Sequence, residues 1–190
     1  AGFFFAVDIV AWHIGIFKTK LGNATLLANC ASLLLAIYGI FLARKLPPPM
    51  QGAAILLAFA GAALLMGQSF EISPEHFEGD WLSLLAGLFY TFYLLAMIRV
   101  RESTESWSSL ALASGSAALS LLPVAWFAGE QILPGNWTPL IILALSSQVL
   151  GQGFLTYALP HFSPLIIGLA LLLQPALSAF AGWAAFNEAM

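Results

Sequence analysis

Two apolar runs in the last third of the chain decide the fold. They are PLIILALSSQVLGQGFLTYAL, Pro139–Leu159, and PLIIGLALLLQPALSAFAGWAAF, Pro164–Phe186, separated only by PHFS. Neither run contains a charged residue, and each has the length of about 20 residues that an α-helix needs to cross about 30 Å of hydrocarbon. We therefore predict two consecutive transmembrane helices joined by a short loop.

The composition of the whole chain supports a membrane protein. Its 190 residues are 61% hydrophobic and 8% charged, whereas soluble domains carry about 25% charged residues. These values exclude a soluble domain and a disordered chain. Six Lys and Arg against nine Asp and Glu, a net charge of −3, exclude a nucleic-acid-binding protein. The single cysteine excludes an internal disulfide framework and a cysteine-based metal cluster.

Seven such runs occur along the chain, and they predict an all-α fold, a polytopic transmembrane helical bundle. The predicted spans are Gly2–Phe17, Asn23–Ala43, Gln51–Gly67, Trp81–Ile98, Trp107–Ala128, Pro139–Leu159 and Pro164–Phe186. Thr138 and Ser163 each precede a proline and are predicted N-caps. Because the chain begins without Met inside an apolar run, we expect it to be an internal part of a longer membrane protein.

The basic residues predict the orientation of these spans. Alternate loops contain Arg44 with Lys45 and Arg99 with Arg101, whereas the opposite set contains only Lys18 and Lys20. The positive-inside rule counts Lys and Arg alone. It therefore places the Arg44/Lys45 and Arg99/Arg101 loops in the cytoplasm.

An offset of 143 residues aligns the first pair of predicted helices with the last pair without a gap. Gly39 then aligns with Gly182, and Ala36 aligns with Ala179. Five spans separate the two copies, so the copies enter the membrane in opposite orientations. Inverted repeats of this kind are typical of many secondary transporters.

Several weak motifs in this order resemble EamA-type transporters of the drug/metabolite transporter superfamily. Phe5–Trp12 (FAVDIVAW), Asn23–Asn29 (NATLLAN) and Gln51–Gly61 are similar to the first half of such a protein. Ser147–Ala158 (SQVLGQGFLTYA), Leu172–Pro175 (LLQP) and Phe186–Glu188 (FNE) are similar to its second half. The chain departs from the family pattern at Ser32, where a proline is common, and at Arg44–Leu46, where Gly-Glu-Arg is common. The second copy keeps the proline as Pro175 and the acid as Glu188.

The resemblance implies ten helices in two inverted five-helix repeats, of which this chain contains helices three to nine. Residues 1–67 would then end the first repeat, residues 68–80 would form an extracytoplasmic loop, and residues 81–190 would form most of the second repeat without its last helix. It also implies an integral protein of a bacterial cytoplasmic (inner) membrane.

Asp8 is the acidic residue inside a predicted span rather than at its edge. If Lys18 lies at the interface, a rise of 1.5 Å per residue places Asp8 about 15 Å deeper, near the middle of the bilayer. Ionisable residues at that depth usually face a cavity or a partner. Asp8 is therefore predicted to bind substrate or couple transport to protons. The alternative is a protonated or hydrogen-bonded structural residue between helices.

Gln148, Gln152 and Thr156 follow the spacing i, i+4, i+8 and would form one polar stripe on a helix. Amides both donate and accept hydrogen bonds, so the stripe could bind a zwitterion or a polyol. The alternative is hydrogen bonding between helices. Gly151 and Gly153 are predicted close-packing or hinge positions.

Other candidate residues are less specific. Asn29 and Gln174 are polar residues of the other paired helices, and Pro175 frees a backbone carbonyl or kinks its helix. Their alternative role is packing. Trp12, Tyr90 and Tyr93 are candidates for cavity walls or cation–π contacts, with packing again the alternative.

The leading hypothesis is a secondary-active transporter, and not an enzyme. It would move small metabolites such as amino acids by alternating access, coupled to protons through Asp8. Export is common among proteins that look like this one. The hypothesis requires no cofactor and no metal ion; its partners would be a small-molecule substrate and the lipid bilayer, and no nucleic acid. The alternatives are a passive channel or structural membrane subunit, and an intramembrane enzyme, for which Ser114–Ser116 lacks a nearby histidine in the sequence.

Overall fold

The described part of the protein consists of helices joined by turns and short loops. The structure, a computed structural model, describes residues 1–44, 47–67, 74–130, 132–174 and 177. Its elements are α1 (Gly2–Ile16), α2 (Leu21–Ala28), α3 (Cys30–Ala43), α4 (Pro49–Gly67), α5 (Phe77–Val100), α6 (Ser106–Phe127), α7 (Thr138–Leu143), a π-helix (Ala144–Gln152), α8 (Gly153–Ala158) and α9 (Pro164–Leu171). No strand occurs within these ranges, which confirms the all-α prediction.

These helices follow the predicted spans in the predicted order. Among the described residues, four helical stretches are long and apolar enough to cross a membrane: Gly22–Ala43, Phe77–Val100, Ser106–Phe127 and Thr138–Ala158. Gly2–Ile16 is a shorter apolar helix. The polytopic helical fold is therefore confirmed. Outside the described residues lie Lys45, residues 68–73, Pro175, residues 178–186 of the last predicted span, and Glu188 beyond that span.

Two helix starts differ from the sequence prediction. Helix α5 begins at Phe77 rather than Trp81, and its first turn contains Glu78 and Asp80, where negative charge interacts favourably with the helix dipole. Helix α7 begins at Thr138, whose backbone N–H donates to Oδ1 of Asn136 (3.0 Å), so Thr138 is not the N-cap. The predicted cap of α9 is confirmed, because Oγ of Ser163 accepts a hydrogen bond from a backbone N–H of its first turn.

A π-helix occupies the middle of the span Thr138–Ala158. Its residues, Ala144–Gln152, include Ser146, Gln148 and Gly151. Oγ of Ser146 donates to the carbonyl of Ile142 (2.8 Å) where the π-helix begins, an interaction with which serines often bend helices. The α-helical spacing that predicted one continuous polar stripe therefore applies only beyond Gln152. π-helical segments are rare and are frequent at functional sites.

The chain divides into two compact units. Unit 1 consists of Ala1–Val7 and Phe92–Phe162, and unit 2 consists of Asp8–Thr91 and Ser163–Met190. Helices α1 and α5 contribute residues to both units. The predicted division into repeats at residues 68–80 stays a prediction.

In unit 2, α3 packs closely against α9 through small residues. A Cβ atom at Gly168 would lie 2.6 Å from the carbonyl oxygen of Ser32, and one at Gly39 would lie 2.9 Å from Cα of Leu165. Both distances are too short for a real Cβ atom, so these glycines allow the two backbones to touch. Contacts of this type hold transmembrane helices together in the absence of a hydrophobic driving force.

The turn after α1 is hydrogen-bonded to the first turn of α5, also in unit 2. Oγ1 of Thr19 donates to Oδ1 of Asp80 (2.6 Å), and Nδ2 of Asn23 donates to the same oxygen (3.1 Å). Lys18 pairs with Glu78 beside them. These contacts anchor the start of α5 at the predicted extracytoplasmic side.

In unit 1, aromatic rings join the first residues of the chain to the second half of α5. The rings of Phe4 and Phe92 have centroids 5.6 Å apart, and those of Phe5 and Tyr93 stack at 4.8 Å. Helix α8 packs against α6 near its start, where a Cβ atom at Gly153 would lie 3.2 Å from the indole ring of Trp107.

Candidate functional site

Two of the residues predicted from the sequence form a hydrogen bond in unit 1. The hydroxyl of Tyr93 donates to Oε1 of Gln152 (3.1 Å), which joins α5 to the last residue of the π-helix. Tyr93 is only 1% exposed, and its ring is held by the stack with Phe5. The hydroxyl therefore has a defined position inside the unit.

Gln148 has a different partner from Gln152. Its Nε2 donates to Oγ of Ser114 on α6 (2.7 Å). Sequence analysis connected Ser114 only with the alternative of an intramembrane enzyme, whereas in the structure it accepts a hydrogen bond from an amide. Nothing in the sequence indicates that Ser114 lies beside Gln148, because the two residues are far apart in the chain.

Thr156 is buried one helical turn beyond Gln152. It is 1% exposed, and its carbonyl oxygen accepts a hydrogen bond from Nε of Arg101 (3.1 Å). Sequence analysis counted Arg101 only as a topological charge. Pro160, four residues after Thr156, is the signal that this carbonyl needs another donor, because a proline lacks the N–H that would otherwise reach it. The sequence does not indicate that Arg101 is this donor.

The two predicted hinge glycines lie at the junction of the π-helix and α8. Gly151 is exposed, and the one neighbour that a Cβ atom would meet is the carbonyl of Ser146 at 3.6 Å. Gly153 is buried beneath the ring of Trp107, which makes it a close-packing position. Their role as hinges stays a prediction, and the third predicted hinge, Pro175, lies outside the described residues.

Apart from Arg101, the polar side chains described here in unit 1 are uncharged. They are Tyr93, Ser114, Gln148, Gln152 and Thr156. Hydroxyls and amides can both donate and accept hydrogen bonds. Such a set can bind neutral polar groups without the cost of burying a charge.

In unit 2, Asp8 lies on α1 and is half-buried. Within the described residues its carboxyl group takes part in no hydrogen bond and no ion pair. The sequence of α1, GFFFAVDIVAWHIGI, places no other carboxylate and no Lys or Arg on this helix. The charged form of a carboxyl group costs free energy in such surroundings. Residues that exchange protons or bind cations within membranes lie in similar surroundings.

The other predicted residues of unit 2 lie on separate elements. Trp12 is half-buried one turn beyond Asp8 on α1, and Tyr90 is half-buried on α5. Nδ2 of Asn29 donates to the carbonyl of Thr25 (2.8 Å) at the break between α2 and α3, so this side chain bonds to the backbone of α2. Gln174 is exposed.

Cavities elsewhere among the described residues include one in each unit. In unit 1 a cavity of about 520 Å³ is lined by Arg101, Glu102, Ser103, Thr104, Glu105, Ser106, Trp107 and Tyr157. In unit 2 a cavity of about 380 Å³ is lined by Phe17, Lys18, Thr19, Lys20, Glu75, His76 and Glu78. Neither is lined by a residue that the sequence predicted to bind substrate. The described part of the chain contains no group of three or more His, Cys, Asp or Glu that could hold a metal ion.

Among the comparisons with known proteins, one shows a family and another shows a fold. The sequence model of the EamA-like transporter family matches residues 77–190. A search of curated protein sequences finds no significant match. Six solved chains match in structure. One of them, the crystal structure of a protein, matches the whole of this chain with a TM-score of 0.78 and 22% identity. This chain spans 66% of the length of that one, and the likeness shows the fold alone.

Proposed function

The chain belongs to the EamA-like transporter family, and we propose that it exports small polar metabolites, such as amino acids, as a secondary-active transporter coupled to protons through Asp8. Membership of the family supports an integral membrane protein and a transporter of the drug/metabolite type, and points away from an enzyme. The substrate, the direction and the coupling mechanism form the proposal.

The observation that carries the proposal is the state of Asp8. It is half-buried in an apolar helix and has no hydrogen-bond or ion-pair partner within the described residues. A carboxyl group that is not held in a salt bridge can take up and release a proton with little rearrangement of the residues around it. Proton relays in pumps and transporters use intramembrane carboxyl groups in this way.

The uncharged polar side chains of unit 1 support a polar substrate. Tyr93 presents a hydroxyl, and Gln152 and Gln148 present two amides. Thr156, on α8, adds a second hydroxyl. These groups can hydrogen-bond the carboxylate or amine of a zwitterion, or the hydroxyls of a polyol. We infer that substrate recognition uses these residues of unit 1. The candidates in unit 2, Trp12, Asn29, Tyr90 and Gln174, stay separate predictions.

We further propose alternating access between the two inverted repeats, in a bacterial inner membrane with the Arg44/Lys45 and Arg99/Arg101 loops in the cytoplasm. In this orientation an exporter takes substrate from the cytoplasm and protons from outside. The π-helix, with Gly151 and Gly153 at its end, is a segment where a membrane helix can change conformation.

The experiment uses the full-length protein in proteoliposomes. Uptake of pooled labelled amino acids is measured with the lumen acidified and, separately, with the outside acidified, for wild type, Asp8→Asn and the control Glu130→Gln, which changes an exposed loop carboxylate. For a proton antiporter, uptake is saturable and faster with an acidic lumen in wild type and control. Asp8→Asn should lose this dependence on the gradient but retain exchange of internal for external substrate.

The result can contradict the proposal in several ways. An Asp8→Asn protein that is still driven by the gradient would show that Asp8 is structural. Uptake that does not saturate and shows no counterflow would indicate a passive channel. No uptake of the pool by the wild type would contradict amino acids as the substrate class.

A further inference from the structure

Arg101 links two elements at the predicted cytoplasmic end of unit 1. It is half-buried and follows the last turn of α5. Its Nε donates to the carbonyl oxygen of Thr156 on α8 (3.1 Å), and its Nη1 donates to the carbonyl oxygen of Thr104 in the loop before α6. One planar guanidinium group therefore holds two backbone carbonyls from different parts of the chain.

The carbonyl of Thr156 needs a side-chain donor because of Pro160. In an α-helix this oxygen would accept a hydrogen bond from the N–H of residue 160, but proline has no N–H, and its ring crowds the carbonyl four residues earlier. The preceding bond of the ladder is intact, since the N–H of Leu159 donates to the carbonyl of Leu155 (3.0 Å). Thr156 is buried, so an unpaired carbonyl at this position would be costly.

We propose that Arg101 is a positioning residue that replaces the missing donor of Pro160 and thereby holds Thr156 and Gln152 in place against Tyr93. Thr156 and Gln152 lie one turn apart, at α8 and at the end of the π-helix, and Gln152 accepts the hydrogen bond from Tyr93. While this hydrogen bond is formed, it opposes rotation of α8 about its axis. The part of this inference that concerns substrate rests on the proposed function; the link between Arg101 and the carbonyl does not.

A lysine would not serve equally well at this position. The guanidinium group presents several N–H donors in one rigid plane, so it can reach the carbonyls of Thr156 and Thr104 together. An ammonium group is a single point on a flexible stem. Arg99, two residues earlier, provides the contrast: it is exposed and pairs with Glu102 at 3.0 Å, an interaction of little consequence.

The decisive experiment is a double-mutant cycle in the full-length protein. Arg101→Met removes the donor, and Pro160→Ala restores a backbone N–H to the same carbonyl, so the second change should compensate for the first. Amide hydrogen exchange is followed by mass spectrometry in peptides that cover residues 150–159, with Arg99→Met as the matched control. We expect Arg101→Met to accelerate exchange in this segment about 10-fold, the cost of an unpaired buried carbonyl, and Arg101→Met/Pro160→Ala to return close to the wild-type rate.

Additive effects of the two changes, or an Arg101→Met protein with unchanged exchange, would overturn the link. Global failure to fold is distinguished by exchange in α3, which is in unit 2 and should not change. If Arg101→Met alone does not fold, Arg101→Lys takes its place in the cycle and should show a smaller acceleration, again removed by Pro160→Ala.

A second measurement separates positioning from support of the fold alone. In proteoliposomes, Arg101→Met should raise the half-saturating concentration of the pooled labelled amino acids about 10-fold, with a much smaller change in the maximal rate, and Pro160→Ala should reverse the rise. A lower maximal rate with unchanged half-saturation would show that Arg101 only supports the fold. If the wild type takes up none of the pool, the proposed substrate class fails, whereas the exchange cycle still decides the link.

Discussion

The crossing of α3 and α9 provides the most quantitative prediction about stability. We consider Gly168→Ala, which adds one methyl group to a buried position of α9. The new Cβ atom would lie 2.6 Å from the carbonyl oxygen of Ser32 and 2.7 Å from the backbone nitrogen of Ala36. Both atoms belong to the backbone of α3, so no side-chain rotation can relieve the contact, and the two helices must move apart.

The magnitude follows from this separation. A gap of 0.5–1 Å forfeits about a quarter to a half of the dispersion energy of each contact along the crossing, and inserting a methylene into a well-packed site costs about 1–3 kcal/mol. Alanine recovers about 0.5–1 kcal/mol through its higher helix propensity. A net cost of about 0.5–2 kcal/mol remains. At about 2–4 °C per kcal/mol for a chain of this size, we expect the apparent melting temperature to fall by about 1–8 °C.

The assay is thermal unfolding of the full-length protein in detergent, with Gly115→Ala as the control. Gly115 also lies in the interior of a helix, but a Cβ atom there would meet no atom within 4 Å, so its melting temperature should stay the same or rise. Adding Ala36→Gly to Gly168→Ala should not rescue the protein, because the Cβ of Ala36 is only the third contact, at 3.0 Å. An unchanged melting temperature for Gly168→Ala, or full rescue by Ala36→Gly, would refute close contact between the two backbones.

Other polar contacts yield predictions of different size. Tyr93→Phe removes the donor to Gln152 but keeps the ring that stacks on Phe5. Its melting temperature should fall by only about 1–3 °C, as for an average hydrogen bond within a membrane, while half-saturation of uptake rises about 10-fold; an unchanged half-saturation would contradict a role in binding. Asp80→Asn weakens two hydrogen bonds and the charge at the start of α5, and should cost about 1–2 kcal/mol in thermal unfolding. Glu78→Gln should cost less than about 1 kcal/mol, because its pair with Lys18 is exposed to solvent; equal costs would contradict this assignment.

The helical fold was predictable because the hydropathy of each segment determines it. A segment that lacks charge over the thickness of a bilayer must satisfy its backbone internally, and a helix does so with bonds between near neighbours. The order of the spans and the cap at Ser163 depend on the same local information. The predicted start of α5 was four residues too late. The first turn of the helix contains the charged residues Glu78 and Asp80, and a prediction from hydropathy alone leaves charged residues out of a span.

The contacts within the candidate site were less predictable, because they join residues far apart in the chain. Spacing identified Gln148 and Gln152 as polar positions, but not that their partners are Ser114 and Tyr93. The π-helix was also missed, since its wider turn depends on side-chain bonds such as that of Ser146 rather than on a hydrophobic pattern. Which of the predicted residues bind substrate stays a prediction.

The segment that carries the two amides is bounded by places where a side chain bonds to a backbone carbonyl. At its start, Ser146 bonds to the carbonyl of Ile142 as the backbone changes from α to π geometry. At its end, Arg101 bonds to the carbonyl that Pro160 leaves without a donor. Within a membrane, irregular backbone is tolerated only where such partners exist. A helix whose hydrogen bonds depend on side chains can exchange them for others, so this segment is where a change of conformation during transport would cost least.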